Sequence, residues 1–305
     1  MTERIVIDCD PGVDDAVAVL MALASPKLDV RGLTTVFGDT DLAITTRNAR
    51  TLLRAGGRSE LPVGHGAATP LVGRFGGGVP HIHGRDGLGD GGVAREPSDN
   101  RPADTGAVEL LRREALAAPG ALTILAVGPL TNLALFARVH PEAARRVGRV
   151  VVMGGAALCP GNVTPAAEAN IHNDPEAAEV VLGFDWPVTM IGLDVTGRTI
   201  LGAGHLDAIG RRHDLPARAV PLYRRFSLEA DGLDGIKAHD PAALTFVLRP
   251  DLFEVRPMPL RVELAGVGRG KTWVLDGRGN GRLAGWEGRR PVGVAVGRTT
   301  ARWRT

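Results

Sequence analysis

Apolar positions along the chain follow two alternating rhythms. Ile5-Val6-Ile7 is a short buried run that enters Asp8-Cys9-Asp10-Pro11-Gly12, after which Asp14 to Ala24 carries apolar residues at helical spacing. A strand, a turn and a helix are expected there. The unit recurs as Arg31 to Phe37 with a helix from about Asp41 to Ala55, as Leu122 to Val127 with Pro129 to Val139, and as the runs Val150 to Met153 and Pro187 to Leu193. Alternation of this kind predicts an α/β fold: one doubly wound, mostly parallel sheet with helices on both faces.

Two stretches interrupt the rhythm. Val72 to Val93 is crowded with glycine and carries His81 and His83, so a long mobile loop is expected. From Leu206 to Leu248 helical patterning dominates as a helical insertion, broken by Asp231-Gly232-Leu233-Asp234-Gly235. Val255 to Leu264, Thr272 to Leu275 and Val292 to Val296 then read as C-terminal strands and hairpins that extend the sheet. No internal repeat or linker divides the pattern, so residues 1–305 are expected to form a single domain.

Composition narrows the classes. With 44% hydrophobic and 23% charged residues, the 305-residue chain can bury a sizeable core, which excludes disordered, collagen-like and disulfide-framework proteins. The net charge is only +2, and the basic residues are nearly all arginine, since Lys27, Lys237 and Lys271 are the only lysines. No basic stripe with interleaved aromatics appears, so nucleic acid is not an expected partner. The longest apolar helical stretch, Ala16 to Ala24, reaches about half of a membrane span, and neither a membrane helix nor a secretory leader is expected. Cys9 and Cys159 are too few for a framework and read as reduced thiols of a cytoplasmic protein.

Candidate chemistry lies where a parallel sheet binds its ligands, just beyond the carboxyl ends of the strands. Asp8, Asp10, Asp14 and Asp15 follow the first strand, Gly38-Asp39 the second, Val127-Gly128-Pro129 the third and Met153-Gly154-Gly155 the fourth. Asp14 alone would read as a helix N-cap with Asp15 in the first turn. Four carboxylates in eight residues argue otherwise. Two like charges about 4 Å apart cost on the order of 4 kcal/mol at an effective dielectric near 20, and a helix dipole offsets only about 1 kcal/mol of that. A bound cation resolves the conflict, and an all-oxygen donor set without paired cysteines or histidines points to Ca²⁺ or Mg²⁺.

Asp8-Cys9-Asp10-Pro11-Gly12-Val13-Asp14-Asp15-Ala16 resembles the signature of the nucleoside hydrolases, calcium-dependent enzymes that cleave the N-glycosidic bond of ribonucleosides. Further motifs stand in the family's order: Thr34-Thr35-Val36-Phe37-Gly38, Gly128-Pro129-Leu130-Thr131-Asn132, Met153-Gly154-Gly155, Asn162 followed by Glu168-Ala169-Asn170, Asp174-Pro175-Glu176-Ala177-Ala178, and His239-Asp240-Pro241. The resemblance implies that Asp10, Asp15, Asp240 and the Val127 carbonyl hold Ca²⁺. It implies that Asp10 deprotonates the attacking water, and that His239 protonates the departing base. Asp14, Asn170 and Asp240 would hold the secondary ribose hydroxyls, Asn162 and Glu168 the 5′-hydroxyl, with Asp39, Met153 and the flap residue His83 completing the substrate site. A homodimer or homotetramer acting on small-molecule ribonucleosides is implied as well.

The chain departs from the family pattern in three places. Asp39 stands where asparagine is usual, so it either tightens metal binding or keeps a proton. The segment Glu229 to Lys237 lacks the aromatics that often bracket the base, and Thr299 to Thr305 lacks a closing helix. His81 reads as a solvated loop residue, His172 and Asn173 as scaffold and Phe226 as core. The alternatives are a catalytically weak nucleoside or ribose binder, and a phosphohydrolase using Asp8 and Asp10, which needs a core lysine that Lys27, Lys237 and Lys271 are poorly placed to supply.

Overall fold

The computed structural model describes residues 2–93, 105–277 and 285–298, so Thr299 to Thr305 lie outside the described residues. The chain opens with β1 (Glu3–Cys9), α1 (Val13–Ala24), β2 (Leu28–Thr35), α2 (Leu42–Ala55), β3 (Val63–His65), the one-turn α3 (Pro80–His83), β4 (Thr105–Gly106) and α4 (Ala107–Ala117). Its middle runs through β5 (Leu122–Ala126), α5 (Thr131–Val139), α6 (Pro141–Ala144), β6 (Arg149–Met153), α7 (Ala169–Asn173), α8 (Pro175–Gly183), β7 (Val188–Ile191) and α9 (Leu193–Thr196). The last third holds β8 (Ile200–Gly202), α10 (Ala203–Gly210), α11 (Asp214–Asp231), β9 (Gly235–Lys237), α12 (His239–Leu248), β10 (Phe253–Val262), β11 (Thr272–Val274) and β12 (Pro291–Arg298).

Among the described residues ten strands form one sheet in the order β11-β10-β12-β7-β6-β5-β1-β2-β3-β4. From β12 to β4 all neighbours are parallel, and only β10 pairs antiparallel, with β12 and β11. The predicted α/β class and the late strands that widen the sheet are both present. Successive residues of β1 feed opposite faces: Ile5, Ile7 and Cys9 join a core shared with α1, α2, α11 and α12, whereas Val6 joins the core under α4, α5 and α8. Burial on both sides explains why the central strands read as unbroken apolar runs.

Local chemistry sets the ends of the elements. Gly12, not Asp14, occupies the N-cap of α1, and its N–H donates to the Asp15 carboxylate at 3.0 Å. Asp41 caps α2 instead of lying inside it, accepting from the Ile44 N–H at 3.0 Å. Gly232 ends α11 in the left-handed region (φ 66°), and the following residues form β9, paired with β8, where the helical pattern was seen to break.

The glycine-rich stretch is more structured than expected. His83, Leu88 and Val93 are buried, and the Asp86 carboxylate accepts the N–H groups of Leu88 and Asp90. Arg47 and Asn48 of α2 donate to the Asp86 carbonyl at 2.9 Å. Glycine content drew attention to the backbone and concealed this polar anchoring.

Candidate active site

Parallel register brings four strand ends to one level. Cys9 of β1 lies opposite Thr35 of β2, Asp8 opposite Ala126 of β5, and Ala126 opposite Val152 of β6. The residues that follow converge there with α3, α7 and the start of α12. Asp10, Asp14, Asp15, Asp39, His83, Val127, Met153, Asn162, Glu168, Asn170, His239 and Asp240 all line one cavity of about 140 Å³.

Most of these side chains are fixed by short bonds to the backbone. Asp10 accepts the Asp39 N–H at 2.9 Å. A Cβ at Gly38 would fall 1.8 Å from the Asp10 carboxylate, one at Gly128 2.6 Å from it, and one at Gly12 1.9 Å from Asp39. Glycine at these positions is what lets the two acids approach the turns. Glu168 caps α7 through the N–H groups of Asn170 and Ile171 and also accepts that of Gly155 at 2.9 Å. The Asn170 amide spans two strand ends, donating to the Val127 carbonyl at 2.7 Å and to the Met153 carbonyl at 3.1 Å. Asn162 accepts the Ala169 N–H, and His239 meets the Thr196 hydroxyl through Nδ1 at 2.9 Å.

Asp8 separates from its neighbours in sequence. It is fully buried, faces the Thr34 hydroxyl and the Asn132 amide, and does not line the cavity. The lysines stay away as well: Lys237 pairs with Asp231 at 2.8 Å, Lys271 donates to the carbonyls of Ala156 and Cys159, and Lys27 is exposed. A phosphohydrolase built on Asp8 therefore has neither its nucleophile nor its phosphate ligand in place.

Burial, reinforced by neighbouring acids, dominates the electrostatics. It pushes Asp14 up to about 7 and Asp15 to about 6, and holds Asp10, Asp39 and Asp240 well above the usual carboxylate range. Burial also depresses His83 to about 3 and His239 to about 4, so both rings are neutral at ordinary pH. Because His83 Nδ1 accepts the Val13 N–H at 3.0 Å, its 3.2 Å contact with Asp39 is attractive when Asp39 carries the proton. A protonated Asp39 supplies a donor, as the amide of asparagine would.

The donor set fits a hard cation. Among the described residues no lysine or arginine lines the cavity, and Asp14, Asp15 and Asp240 each bring a carboxylate oxygen within 4.8 Å of the others. Asp15 Oδ1 is buried without a hydrogen-bond partner, an arrangement that is costly unless a cation takes it. Asp14, Asp39 and His83 form a second such group. Asp14 thus sits nearer the candidate metal position than the sequence suggested, while the Val127 carbonyl keeps a lone pair beside its bond to Asn170.

A wider cleft of about 760 Å³ adjoins the acidic cavity and shares Ile82, Asn162, Tyr223 and His239 with it. Tyr223 escaped the sequence reading, although it is the only tyrosine of the chain. Its ring packs 5.4 Å from that of His83. Phe226 is half-buried on the cleft wall, not sealed in the core, and stacks edge-on with the exposed His81 at 5.6 Å. α11 presents one face to both core and cleft, which periodicity cannot distinguish.

Fold and site together define a mostly parallel α/β protein of enzyme type, with an acidic pocket that could bind a metal ion. The chain belongs to the inosine-uridine preferring nucleoside hydrolase family, whose model matches residues 5–303. It is 39% identical to "Uridine nucleosidase 1" of Arabidopsis thaliana, over 96% of this chain and 88% of that protein. Identity to "Pyrimidine-specific ribonucleoside hydrolase RihA" of Citrobacter koseri is 40%, over 87% of this chain and 86% of that one. Among solved structures, "Plant nucleoside hydrolase - PpNRh1 enzyme" superposes with a TM-score of 0.91 at 36% identity, covering 97% of this chain and 94% of its own. A "Purine-Preferring Ribonucleoside Hydrolase from Gardnerella vaginalis" gives 0.87 at 31% identity, with the same coverage. The chain is accordingly a ribonucleoside hydrolase.

Proposed function

We propose that this enzyme releases the free base from ribonucleosides with a Ca²⁺ ion held by Asp10, Asp15, Asp240 and the Val127 carbonyl, the ribose in the acidic cavity and the base in the wide cleft. One observation carries the reading: residues from separate segments close on a 140 Å³ cavity that no described lysine or arginine lines, where Asp15 Oδ1 lacks a partner. When bound, the cation supplies charge neutralisation and a lowered pKa for water in the cavity. Asp10, steadied by the Asp39 N–H and by side-chain-free turns, accepts the proton of the attacking water. Asp14, Asn170 and Asp240 take the 2′- and 3′-hydroxyls, and Asn162 and Glu168 the 5′-hydroxyl. The ring of carboxylates favours the positive charge that develops on the sugar as the glycosidic bond breaks. His239, which borders both cavities, is the group that passes a proton to the departing base, and since burial holds its ring neutral it must first take up that proton as the substrate binds.

The same reading takes the enzyme as a cytoplasmic homodimer or homotetramer. Both cysteines are free, and no described helix is long and apolar enough to cross a membrane. Its test is the release of ribose from uridine, cytidine and inosine, and from their 2′-deoxy counterparts, with calcium and after chelation. Loss of the 2′-hydroxyl leaves buried polar groups unpaired, so ribonucleosides should be favoured by at least about a hundredfold in kcat/KM. Chelation should abolish turnover and lower Tm together. Equal rates on inosine and deoxyinosine would remove the ribose assignment, and full activity after exhaustive chelation would remove the metal. Nucleoside binding without any ribose release would leave the weak-binder reading in its place.

A further inference from the structure

We infer that Thr196 is a positioning residue for the hydrolysis, holding the His239 ring so that one nitrogen faces the leaving base. The inference rests on the reading of His239 as the group that assists base departure.

Thr196 is the last residue of α9, which follows β7 at the same edge of the sheet as the other strand ends, and it is fully buried. Its hydroxyl lies 2.9 Å from His239 Nδ1. With Nδ1 engaged, Nε2 is the nitrogen left for a ligand, and His239 lines both the sugar cavity and the wide cleft. Which ring nitrogen faces a substrate is commonly set by the bond that the other makes.

The anchor behind Thr196 is rigid. Its N–H donates to Gly192, and the Asp194 carboxylate accepts the N–H groups of Ala157 and Leu158 at 2.8 and 2.7 Å, tying α9 to the loop after β6. The Arg198 guanidinium donates to the Asp194 carbonyl on the other side. Thr199 continues the grip, since its carbonyl accepts the Ala238 N–H at 2.8 Å, one residue before His239. The histidine is thus held through backbone and ring by the same short segment.

A threonine hydroxyl suits this task because it can rotate. It accepts from an Nδ1–H or donates to a bare Nδ1, so the ring keeps its direction whichever nitrogen carries the proton. A carboxylate in its place would favour the charged ring, and an apolar group would leave Nδ1 unpartnered and the ring free to turn. Sequence reading had no means of finding Thr196, which lies 43 positions from its partner.

The test compares leaving groups in the calcium-loaded enzyme. Uridine needs help to release its base, whereas p-nitrophenyl riboside has a leaving group stable as an anion, and its turnover also reports a folded site. Thr196→Val should lower kcat on uridine about tenfold or more with KM little changed, a part of the 10²- to 10⁴-fold that general acid assistance contributes, and should cost p-nitrophenyl riboside no more than about twofold. Thr196→Ser should restore uridine turnover. Equal loss on both substrates, an unchanged rate on uridine, or failure of serine to rescue would overturn the inference and leave Thr196 a packing residue. His239→Ala, assayed in parallel, separates the two ideas. A uridine-selective loss there with none in Thr196→Val refutes only the role of Thr196. No selective loss in His239→Ala refutes the role of the histidine and this inference with it.

Discussion

The two ends of the central sheet handle buried acid in opposite ways. At the amino ends of the parallel strands Glu114 and Glu3 meet guanidinium groups. Glu114 accepts from Arg4 at 2.7 Å and from Arg31 and Arg113 at 3.3 Å, and Glu3 at the start of β1 pairs with Arg149 at the start of β6. Burial works against ionisation of Glu114, yet the bonds to Arg4 and Arg31 win and hold its carboxyl below the usual range. At the carboxyl ends five aspartates share a cavity that no described lysine or arginine lines, and each is pushed upward. The first arrangement completes its own charge balance and serves stability. The second leaves its balance to a bound cation and a cationic transition state, which is how a site of function differs from a structural ion network.

Substitutions at the two ends should therefore have opposite signatures. Asp10→Asn should lose about a thousandfold or more in kcat on every substrate, including p-nitrophenyl riboside, because without a base the water is neither oriented nor deprotonated. Retained turnover at saturating calcium would place the base elsewhere. At the other end, Glu114→Gln should cost about 1–3 kcal/mol of stability by uncoupling a buried acceptor from its arginines, while leaving kcat/KM unchanged. A fall in activity without a fall in Tm would break the division between the two ends.

A third measurement uses pH. Folded-state pKa values near 7 for Asp8 and Asp14, and above the usual range for the other acids, mean that the folded chelated protein binds more protons than the unfolded chain. Its Tm should rise by a few degrees as pH falls from 8 to about 6.5. Below 6.5 the rise should become shallower, because His83 and His239, with folded values near 3 and 4, take protons only when the chain unfolds and so offset part of the carboxylates' uptake. With calcium bound the cavity carboxylates stay ionised and the rise should shrink to what Asp8 contributes. An identical profile with and without calcium would contradict the charge argument. The smallest effect is expected at Asp39: Asp39→Asn should change turnover by no more than about threefold while weakening calcium binding, since the amide replaces a donor and removes a latent charge. Loss of turnover at saturating calcium would give Asp39 an acid or base role.

How much of this was legible in the chain depends on how local the signal is. β1, β5 and β6 announce themselves as apolar runs, and Asp10, Val127 and Met153 stand at strand ends with Asp39 in the turn after β2, so topology alone gathers them. Asp14 and Asp15 share a short turn with Asp10, and their crowding is visible as charge. The contributions that escaped come from helix surfaces whose partners are distant. Tyr223 reaches His83 across the contact of α11 with α3, and Phe226 takes its exposure from a cleft that exists only once α9 and α11 are assembled. Asp8 differs for the converse reason: it shares the motif, but it still lies within β1, and the Thr34 and Asn132 bonds hold it away from the cavity. Short elements such as α3 were hidden by glycine, whose abundance says nothing about the polar anchor at Asp86.

Gly12, Gly38 and Gly128 bear on how this enzyme tolerates change. Each faces a carboxylate across a gap smaller than one methyl group, so the smallest possible replacement, alanine, would displace Asp10 or Asp39. The dimensions of the pocket are therefore inherited through residues that touch no ligand and carry no chemistry of their own. Anyone diversifying the enzyme toward new bases has freedom along the α11 wall of the cleft, where Phe226 and Ser227 stand, and none at these three turns. The boundary between what can be varied and what cannot runs through bare backbone.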